Sequence, residues 1–209
     1  MGIRHPGRLV AVIGVAIVVV VGIALTGSKS PIFTANDPVT GVPLGPSKVT
    51  PPTTTTVAMA PRPRSLTLVG LNPCHILTAT QRSALSLDST PTAYVDEEFD
   101  KAKACTMRGI ESGTVARIAL VTSMGVDVWL DSTAQVTAQA VTVASFPALV
   151  VRTPGLDDAC NVEVDTADDQ FMDVLFRDGG NTPPIPQDEL CDGAQRVAEA
   201  AVTSLLKID

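Results

Sequence analysis

The sequence predicts an α+β domain, in which an antiparallel β-sheet packs with a short N-terminal helix and a long C-terminal amphipathic helix and is closed by two disulfides. Three observations lead to this fold class. Segments in the middle of the chain alternate apolar and polar residues, the C-terminal residues repeat apolar side chains at helical spacing, and four cysteines share this region. Helix, strands and final helix in that order are typical of helices packed on one sheet.

The chain begins with a long apolar run. Residues 9–25 form 17 positions without a charge, and Arg4 and Arg8 precede them. A bilayer core needs about 17–25 apolar residues, and basic residues favour the cytoplasmic flank. We therefore expect residues 1–8 to be a cytoplasmic basic flank and residues 9–27 to be a single-pass transmembrane signal anchor.

The same run is also compatible with a cleaved secretory signal peptide. Signal peptides have apolar cores of about 7–15 residues followed by small residues at the cleavage site. Here the run is longer, and the best cleavage segment is Thr26-Gly27-Ser28. In either case we expect the rest of the chain outside the cytoplasm, tethered to the cell membrane in the first case and secreted in the second. No cysteine follows the run directly, which excludes lipid attachment at that point.

Residues 28–65 are predicted to be an extracytoplasmic linker. They are rich in proline and threonine, and proline fixes φ and removes a hydrogen-bond donor, which favours extended conformations. The threonines at 53–56 can carry O-linked glycans in an exported stalk, although a plain spacer is the simpler interpretation. The domain follows as residues 66–209, a length sufficient for one hydrophobic core.

The charge of the domain excludes one class of partner. The whole chain has a net charge of −7, yet the charged residues before the domain are mostly basic. The domain is therefore more acidic than the chain as a whole, and an acidic surface repels phosphate backbones. We expect no nucleic-acid partner, and we expect contact with the membrane through the anchor.

The four cysteines are Cys74, Cys105, Cys160 and Cys191. An even number in an exported domain is typical of disulfides, for which three pairings exist. The first two and the last two cysteines are each 31 residues apart, which favours the pairs Cys74–Cys105 and Cys160–Cys191. A zinc site or a redox site is the alternative, but the sequence has neither the close cysteine pairs of zinc ligands nor a C-x-x-C motif.

The short N-terminal helix is predicted by a capping box. Thr78 and Gln81 have the T-x-x-Q spacing in which each side chain binds the backbone N–H of the other. The acidic run Asp96–Asp100, which follows, is interpreted as a solvated connecting loop.

Five strands are predicted between this loop and the C-terminal helix. They are rich in β-branched or alternating residues, and turn residues such as Gly113 and Gly125 separate them. Residues 124–131 are ambiguous, and residues 128–130 can begin a short helix. The predicted strands are 114–122, 136–143, 148–152, 160–164 and 171–177.

The C-terminal helix has the clearest pattern. It is predicted over residues 187–207, with acidic residues in its first turn and Lys207 in its last, which suits the helix dipole. Cys191 lies one turn inside the helix, so we expect the helix to be linked to the strand that begins at Cys160. The apolar stripe consists of Leu190, Ala194, Val197, Ala198, Ala201, Leu205 and Ile208.

The residues around the first cysteine resemble a known family. The segment 72–78, N-P-C-H-I-L-T, is similar to the D-P-C-x-L-L-T opening of domain of unknown function 3558, an actinobacterial exported family. Its members are typically lipoproteins with four similarly placed cysteines, and the resemblance extends from about residue 66 to the C-terminus. It implies an envelope protein without assigned chemistry, carries no catalytic residue to this chain, and implies a relative with a sheet-and-helix fold of the PsbP/Mog1 type.

The chain departs from that family pattern at two points. The apolar run replaces the lipobox cysteine that members usually carry, and Met107 stands two positions after Cys105, where members often have an aromatic residue. The first departure changes the expected anchor from a lipid to a helix.

The sequence offers no complete catalytic constellation. Its two histidines are His5 on the cytoplasmic flank and His75 in the domain, and it has no G-x-S-x-G motif. Neither a Ser-His-Asp triad nor a histidine-based zinc site can be assembled from these residues. We therefore predict no catalytic residue, no metal ligand and no cofactor. Aromatic residues make up 3% of the chain, which argues against stacking platforms for carbohydrate or single-stranded nucleic acid.

One acidic group remains a candidate for chemistry. Its spacing lacks the glycine and the terminal glutamate of an EF-hand, so solvated turns are the simpler interpretation. A pair of carboxylates of the glycosidase kind stays open. The group consists of Asp157, Asp158, Asp165, Asp168 and Asp169.

Two functions from different classes follow from these patterns. The first is a non-enzymatic binding or accessory module of the cell envelope, which docks a membrane-protein partner or holds an envelope lipid. The second is a cell-wall-active hydrolase that uses the acidic residues. A lipid carrier needs a deep apolar cavity, whereas a hydrolase of this kind needs a cleft in which carboxylates converge.

Overall fold

A computed structural model describes residues 58–208 of the chain. The predicted cytoplasmic flank, the signal anchor and most of the linker lie outside these residues and stay predictions. Within residues 58–208, no helix is both long and apolar enough to cross a membrane.

Seven antiparallel strands form one sheet. They are β1 (Thr92–Asp96), β2 (Ala102–Gly109), β3 (Thr114–Val121), β4 (Thr137–Val143), β5 (Phe146–Arg152), β6 (Ala159–Ala167) and β7 (Gln170–Asp178). Their order is β1-β2-β3-β7-β6-β5-β4. The chain therefore crosses from β3 to the far edge of the sheet, where β4 lies, and returns through β5 and β6 to place β7 beside β3.

The predicted α+β class and the five predicted strands are confirmed, but the sequence pattern does not reveal β1 and β2. The first four residues of β1 are exposed, so this edge strand has no apolar alternation. In β2 the buried side chains include Ala102, Ala104 and Cys105, which are small rather than branched. Neither segment therefore has the composition from which strands are usually recognised.

The interpretation of residues 96–100 as a solvated loop is wrong in part. Asp96 ends β1 and is buried, and residues Glu97–Phe99 form a 3₁₀ turn whose Phe99 side chain is also buried. The carboxylate of Asp96 tolerates burial because it pairs with an arginine of the sheet, Arg117.

Both helices, α1 (Ala79–Ala84) and α2 (Gln187–Ile208), lie on one side of the sheet, where α2 packs on the strands and α1 is hydrogen-bonded to α2 through Gln81. α1 begins with the predicted capping box: the Thr78 hydroxyl accepts from the backbone N–H of Gln81, and the Gln81 side chain accepts from that of Thr78. α2 packs on β6 and β7 and buries every residue of the predicted stripe except Ile208. Gly193 lets α2 approach closely, since a Cβ there would lie 2.5 Å from the ring of Phe176.

Both predicted disulfides are present. Cys74–Cys105 joins the 3₁₀ turn before α1 to β2, with a Cα–Cα distance of 5.1 Å. Cys160–Cys191 joins β6 to α2, with a Cα–Cα distance of 5.0 Å. Cys105, Cys160 and Cys191 belong to the hydrophobic core on this side of the sheet, and Cys74 packs against it. The second bond therefore links α2 to the strand layer, and the first links the turn that precedes α1.

The other face of the sheet is covered by the connection from β3 to β4. We call residues 122–136 the cover segment. It contains the 3₁₀ helix Val126–Leu130, which agrees with the short helix suggested at residues 128–130. Small side chains on this face leave room for the apolar residues of the cover segment, so the sheet is buried on both sides. They are Ala102, Ala104, Ala119, Ala138 and Ala140.

The chain enters the domain at the turn between β6 and β7. Arg62 pairs with Asp165 at 2.6 Å and also with Asp168, and the backbone N–H of Leu66 donates to the same turn. Residues 58–65, predicted to belong to the linker, therefore contact the domain through Arg62.

A glycine at position 145 is expected to stabilise the domain. Ala144 and Ser145 form the turn between β4 and β5 with φ of +46° and +74°, a region that costs a non-glycine residue about 1–2 kcal/mol. Glycine loses more conformational entropy on folding than serine, which offsets part of this gain. Ser145→Gly should therefore raise the free energy of unfolding, measured by urea denaturation, by about 0.5–1 kcal/mol. Ser132→Gly, at a position without positive φ, should bring no such gain. A loss of stability in Ser145→Gly would contradict this account.

Candidate functional site

A cluster of polar side chains lies on the sheet face beneath the cover segment. Arg117 donates to Asp96 at 2.8 Å and also to Asp173. Asn161 donates to the other carboxylate oxygen of Asp173 at 2.6 Å. Glu163 lies beside them, and both Glu163 and Asp173 are 0% exposed. We call these five residues the Arg117 cluster.

The strand register brings these residues together. Successive side chains of a strand point to opposite faces, and Cys160 faces α2, so Asn161 and Glu163 face the cover segment. Glu163 is paired directly opposite Asp173 across β6 and β7. Arg117 lies on β3, the next strand beyond β7, and points to the same side.

The cluster changes the ionisation of its members. Burial raises the pKa of Glu163 well above its ordinary value, and the negative charge of Asp173 raises it further. Burial disfavours the charged form of Arg117, but the carboxylate of Asp173 and its neighbours outweigh this, so the pKa of Arg117 rises. The arginine therefore stays charged, and the pair of carboxyl groups keeps a proton to a higher pH than an exposed glutamate does.

Aromatic rings close the cluster on its outer side. The ring of Phe99 lies 5.6 Å from the guanidinium carbon of Arg117, a cation–π contact. Phe99 also makes edge contacts with Trp129 of the cover segment and with Phe171 of β7, at centroid distances of 6.1 and 5.8 Å. Trp129 is the single tryptophan of the chain, which makes it a natural spectroscopic reporter of this region.

Polar atoms without a hydrogen-bond partner concentrate at this site. Among residues 58–208, the buried side-chain nitrogen and oxygen atoms without a partner are Arg117 Nε, Trp129 Nε1 and both carboxyl oxygens of Glu163. When Glu163 is neutral, its carboxyl can donate a hydrogen bond to Asp173, and the donating oxygen then has a partner. Each unpaired buried group costs about 1–3 kcal/mol, so the fold gives up stability here.

Two adjoining surface grooves lie at the other end of the sheet from the β6–β7 turn. The larger, about 690 Å³, is lined by α1, the turn after it and the β2–β3 turn. The second, about 340 Å³, is lined by the end of α1, β7 and the start of α2. Ser86 and Ser112 line both grooves. Because Phe176 lines the smaller groove and lies six residues along β7 from Gln170, the grooves begin roughly 20 Å from the point where the chain enters the domain.

The larger groove is mainly polar, the smaller one mixes polar and apolar side chains, and together they carry more acids than bases. Four serines supply hydroxyl groups that can both donate and accept: Ser83, Ser86, Ser89 and Ser112. The charged side chains are Arg82, Arg196, Asp88, Glu111, Glu189 and Asp192. The excess of carboxylates favours a polar ligand that bears positive charge.

Asp178 holds the loop that forms one wall of the smaller groove. Its carboxylate accepts hydrogen bonds from the backbone N–H groups of Gly180, Asn181 and Ile185 at 2.8–2.9 Å, and Ile185 lines the groove. These backbone donors, that of Asn181 first, lower the pKa of Asp178 to about 2.

Asp178→Asn is expected to destabilise the domain at neutral pH and to have little effect near pH 2. The pKa of about 2 in the folded state lies below the ordinary unfolded value of about 3.9. The stabilisation is therefore complete above the unfolded pKa and is lost as the pH falls through the folded one. Urea denaturation of both proteins across this pH range measures the difference, with Asp157→Asn, an exposed acid, as the control. A difference that does not change with pH would contradict the assignment.

The acidic group identified in the sequence is not brought together. Asp157 and Asp158 lie before β6, whereas Asp165, Asp168 and Asp169 lie at or beyond its other end. Arg177 pairs with Asp158 and Arg62 with Asp165, so part of the group serves as ion-pair partners. In the part of the chain that the structure describes, no group of three or more His, Cys, Asp or Glu residues could hold a metal ion. The hydrolase hypothesis therefore lacks a cleft in which these acids converge.

Sequence reasoning missed the Arg117 cluster. Its strand residues occupy the polar positions of alternating segments, which the pattern assigns to solvent. They are buried because an irregular connection lies over them. One signal was available. A basic residue, Arg117, and two acidic residues, Glu163 and Asp173, occupy polar positions of separate strands, and opposite charges favour contacts across strands. His75, the histidine of the domain, is exposed on the turn before α1.

Comparison with known proteins identifies a family. Residues 34–204, most of the chain, match the family described as "Protein of unknown function (DUF3558)". No curated protein and no solved structure matches the chain. The matched residues include all four cysteines, the Arg117 cluster and both grooves. The chain therefore belongs to the DUF3558 family, as the segment around Cys74 and the cysteine spacing indicated.

Proposed function

We propose that this chain is a non-enzymatic binding module of the cell envelope, tethered outside the cytoplasm by residues 9–27, and that it binds a basic polypeptide segment in its two adjoining grooves. The observation that carries this proposal is the lining of the grooves, in which four acids stand against two arginines. An extended segment with lysine or arginine side chains complements that charge.

The extracytoplasmic position is supported by two features of different origin. The apolar run follows basic residues, as in signal anchors, and both disulfides link elements of the core, a feature of proteins that fold in oxidising compartments. An alkaline phosphatase fused to the C-terminus should be active in cells, and a green fluorescent protein fused there should be dark. The reverse pattern would contradict the proposed topology.

A polypeptide fits the grooves better than a lipid. A lipid chain needs an enclosed apolar cavity, whereas these grooves are open and combine hydroxyl and charged groups with a few apolar side chains. Serine hydroxyls can pair with the backbone N–H and C=O groups of an extended segment. The grooves also lie at the other end of the sheet from the β6–β7 turn, which Arg62 contacts.

The binding test uses the full-length chain in neutral detergent and a fluorescently labelled decalysine peptide. Anisotropy should rise on binding, binding should weaken as salt is added, and a decaglutamate peptide should not bind. Glu111→Lys, in the larger groove, should weaken binding several-fold.

Glu199→Lys is the matched control. Glu199 is exposed on α2 outside the groove lining, and its substitution changes the net charge by the same amount. If both variants weaken binding equally, attraction to the acidic domain as a whole explains the result and the groove proposal fails. Equal binding of the decaglutamate peptide would also contradict it.

A further inference from the structure

The carboxyl pair of the Arg117 cluster forms a buried group that holds one proton. Glu163 and Asp173 are paired across β6 and β7, point to the same face and are both 0% exposed. Two carboxylates this close cannot both ionise without strong repulsion. A proton on Glu163 therefore allows its carboxyl to donate to Asp173, whose own oxygens already bind Arg117 and Asn161.

The surrounding charges do not remove the need for that proton. Arg117 is the neighbouring cation, and it already neutralises Asp96 and Asp173. Ionised Glu163 would therefore add a negative charge without a cation of its own. The other charged or titratable groups on this side of the sheet include Tyr94 on β1, Asp127 and Asp131 in the cover segment, and Asp165 on β6. The second cation, Arg62, is already paired with Asp165 and Asp168.

The cover segment is attached to this face by side-chain packing. Its hydrogen bonds among the described residues run within the segment itself, from Val128 to Gly125 and around Asp131. Its contacts with the sheet come from apolar side chains, of which Val126 is buried and Trp129 half-buried. It can therefore lift from the sheet without breaking a backbone hydrogen bond to any strand.

We propose that the proton shared by Glu163 and Asp173 keeps the cover segment closed over the sheet, and that loss of this proton opens it. In the closed state the carboxyl is dry and stays neutral; in the open state water can solvate the ionised form. Opening therefore becomes more favourable as the pH rises above the ordinary value for glutamate, about 4.3. For one proton, the ratio of open to closed molecules can rise at most about tenfold per pH unit.

Trp129 reports the state of the cover segment, because it is the single tryptophan of the chain. The experiment measures its emission and its quenching by acrylamide in the full-length protein, from about pH 4 to pH 9. In the wild type, emission should shift to the red and quenching should increase as the pH rises. In Glu163→Gln, which is neutral at every pH, both should stay at the values of the closed state.

Asp157→Asn is the control, since Asp157 is an exposed acid in the turn before β6. This variant should keep the wild-type pH profile. A flat wild-type profile, or the same profile in Glu163→Gln, would overturn the proposal.

If Glu163→Gln does not fold, hydrogen exchange of the wild-type protein provides the test. After correction for intrinsic exchange rates, the protection of residues 122–136 should fall with rising pH while that of β7 stays constant. Protection of the cover segment that does not change with pH would overturn the proposal. The cover segment lies on the opposite face of the sheet from α2, so its opening does not depend on ligand binding in the grooves.

Discussion

Replacing Arg117 by alanine should lower the free energy of unfolding by about 3–5 kcal/mol. The arginine neutralises Asp96 and Asp173, whose side chains are 7% and 0% exposed. Its removal leaves two buried carboxylates without a cation beside Glu163. Because neither carboxylate can reach water in the folded state, the whole cost falls on the native protein.

Urea denaturation at neutral pH measures this loss. Arg177→Ala is the control, since Arg177 and Asp158 form an ion pair at 2.8 Å in which both side chains are about half exposed. That pair should contribute about 0–1 kcal/mol. If Arg117→Ala cost no more than Arg177→Ala, the Arg117 cluster would not be the electrostatic centre of the sheet.

The second large effect is expected from the disulfide between β6 and α2. Replacing Cys160 and Cys191 by alanine should destabilise the domain by roughly 3–4 kcal/mol from the entropy of the opened loop. Alanine is the suitable replacement because both positions are buried, and a serine hydroxyl there would lack a partner. Thermal or urea denaturation of the oxidised proteins measures the loss.

The other disulfide provides an internal comparison. Cys74 and Cys105 have the same separation in sequence, 31 residues, so the double alanine variant should lose the same loop entropy. Any further difference between the two variants reports packing, and the loss should be larger at Cys160–Cys191 because Cys74 is only half-buried. Full stability in either double variant would contradict the assigned role of the bonds.

Much of the fold could be predicted from the sequence because most elements carry a strong local signal. The capping box at Thr78 specifies the start of α1, and the stripe of α2 has helical spacing through several turns. The disulfide pairs followed from equal spacing. β1 and β2 could not be predicted, since an exposed edge strand and a strand with alanines inside lack the pattern on which strand prediction depends.

The candidate site was much harder to predict for a physical reason. Alternation shows which residues share a face of a strand, but it does not show what lies over that face. Glu163 has the same sequence signature as a solvent-facing residue, yet it is fully buried once the connections between strands lie over this face. Asp157 and Asp158, two acids of the group that the sequence offers as candidates, are exposed near turns.

The two disulfides leave one edge of the sheet outside both of the loops that they close. They close the loops 74–105 and 160–191 and leave residues 106–159 outside both. The hairpin of β4 and β5 belongs to this stretch and forms one edge of the sheet. Partial unfolding from that edge leaves both cross-links intact and α2 attached to β6. The domain can therefore populate a form in which β4 and β5 are unfolded while α2 stays packed on β6 and β7. This form costs less free energy than global unfolding.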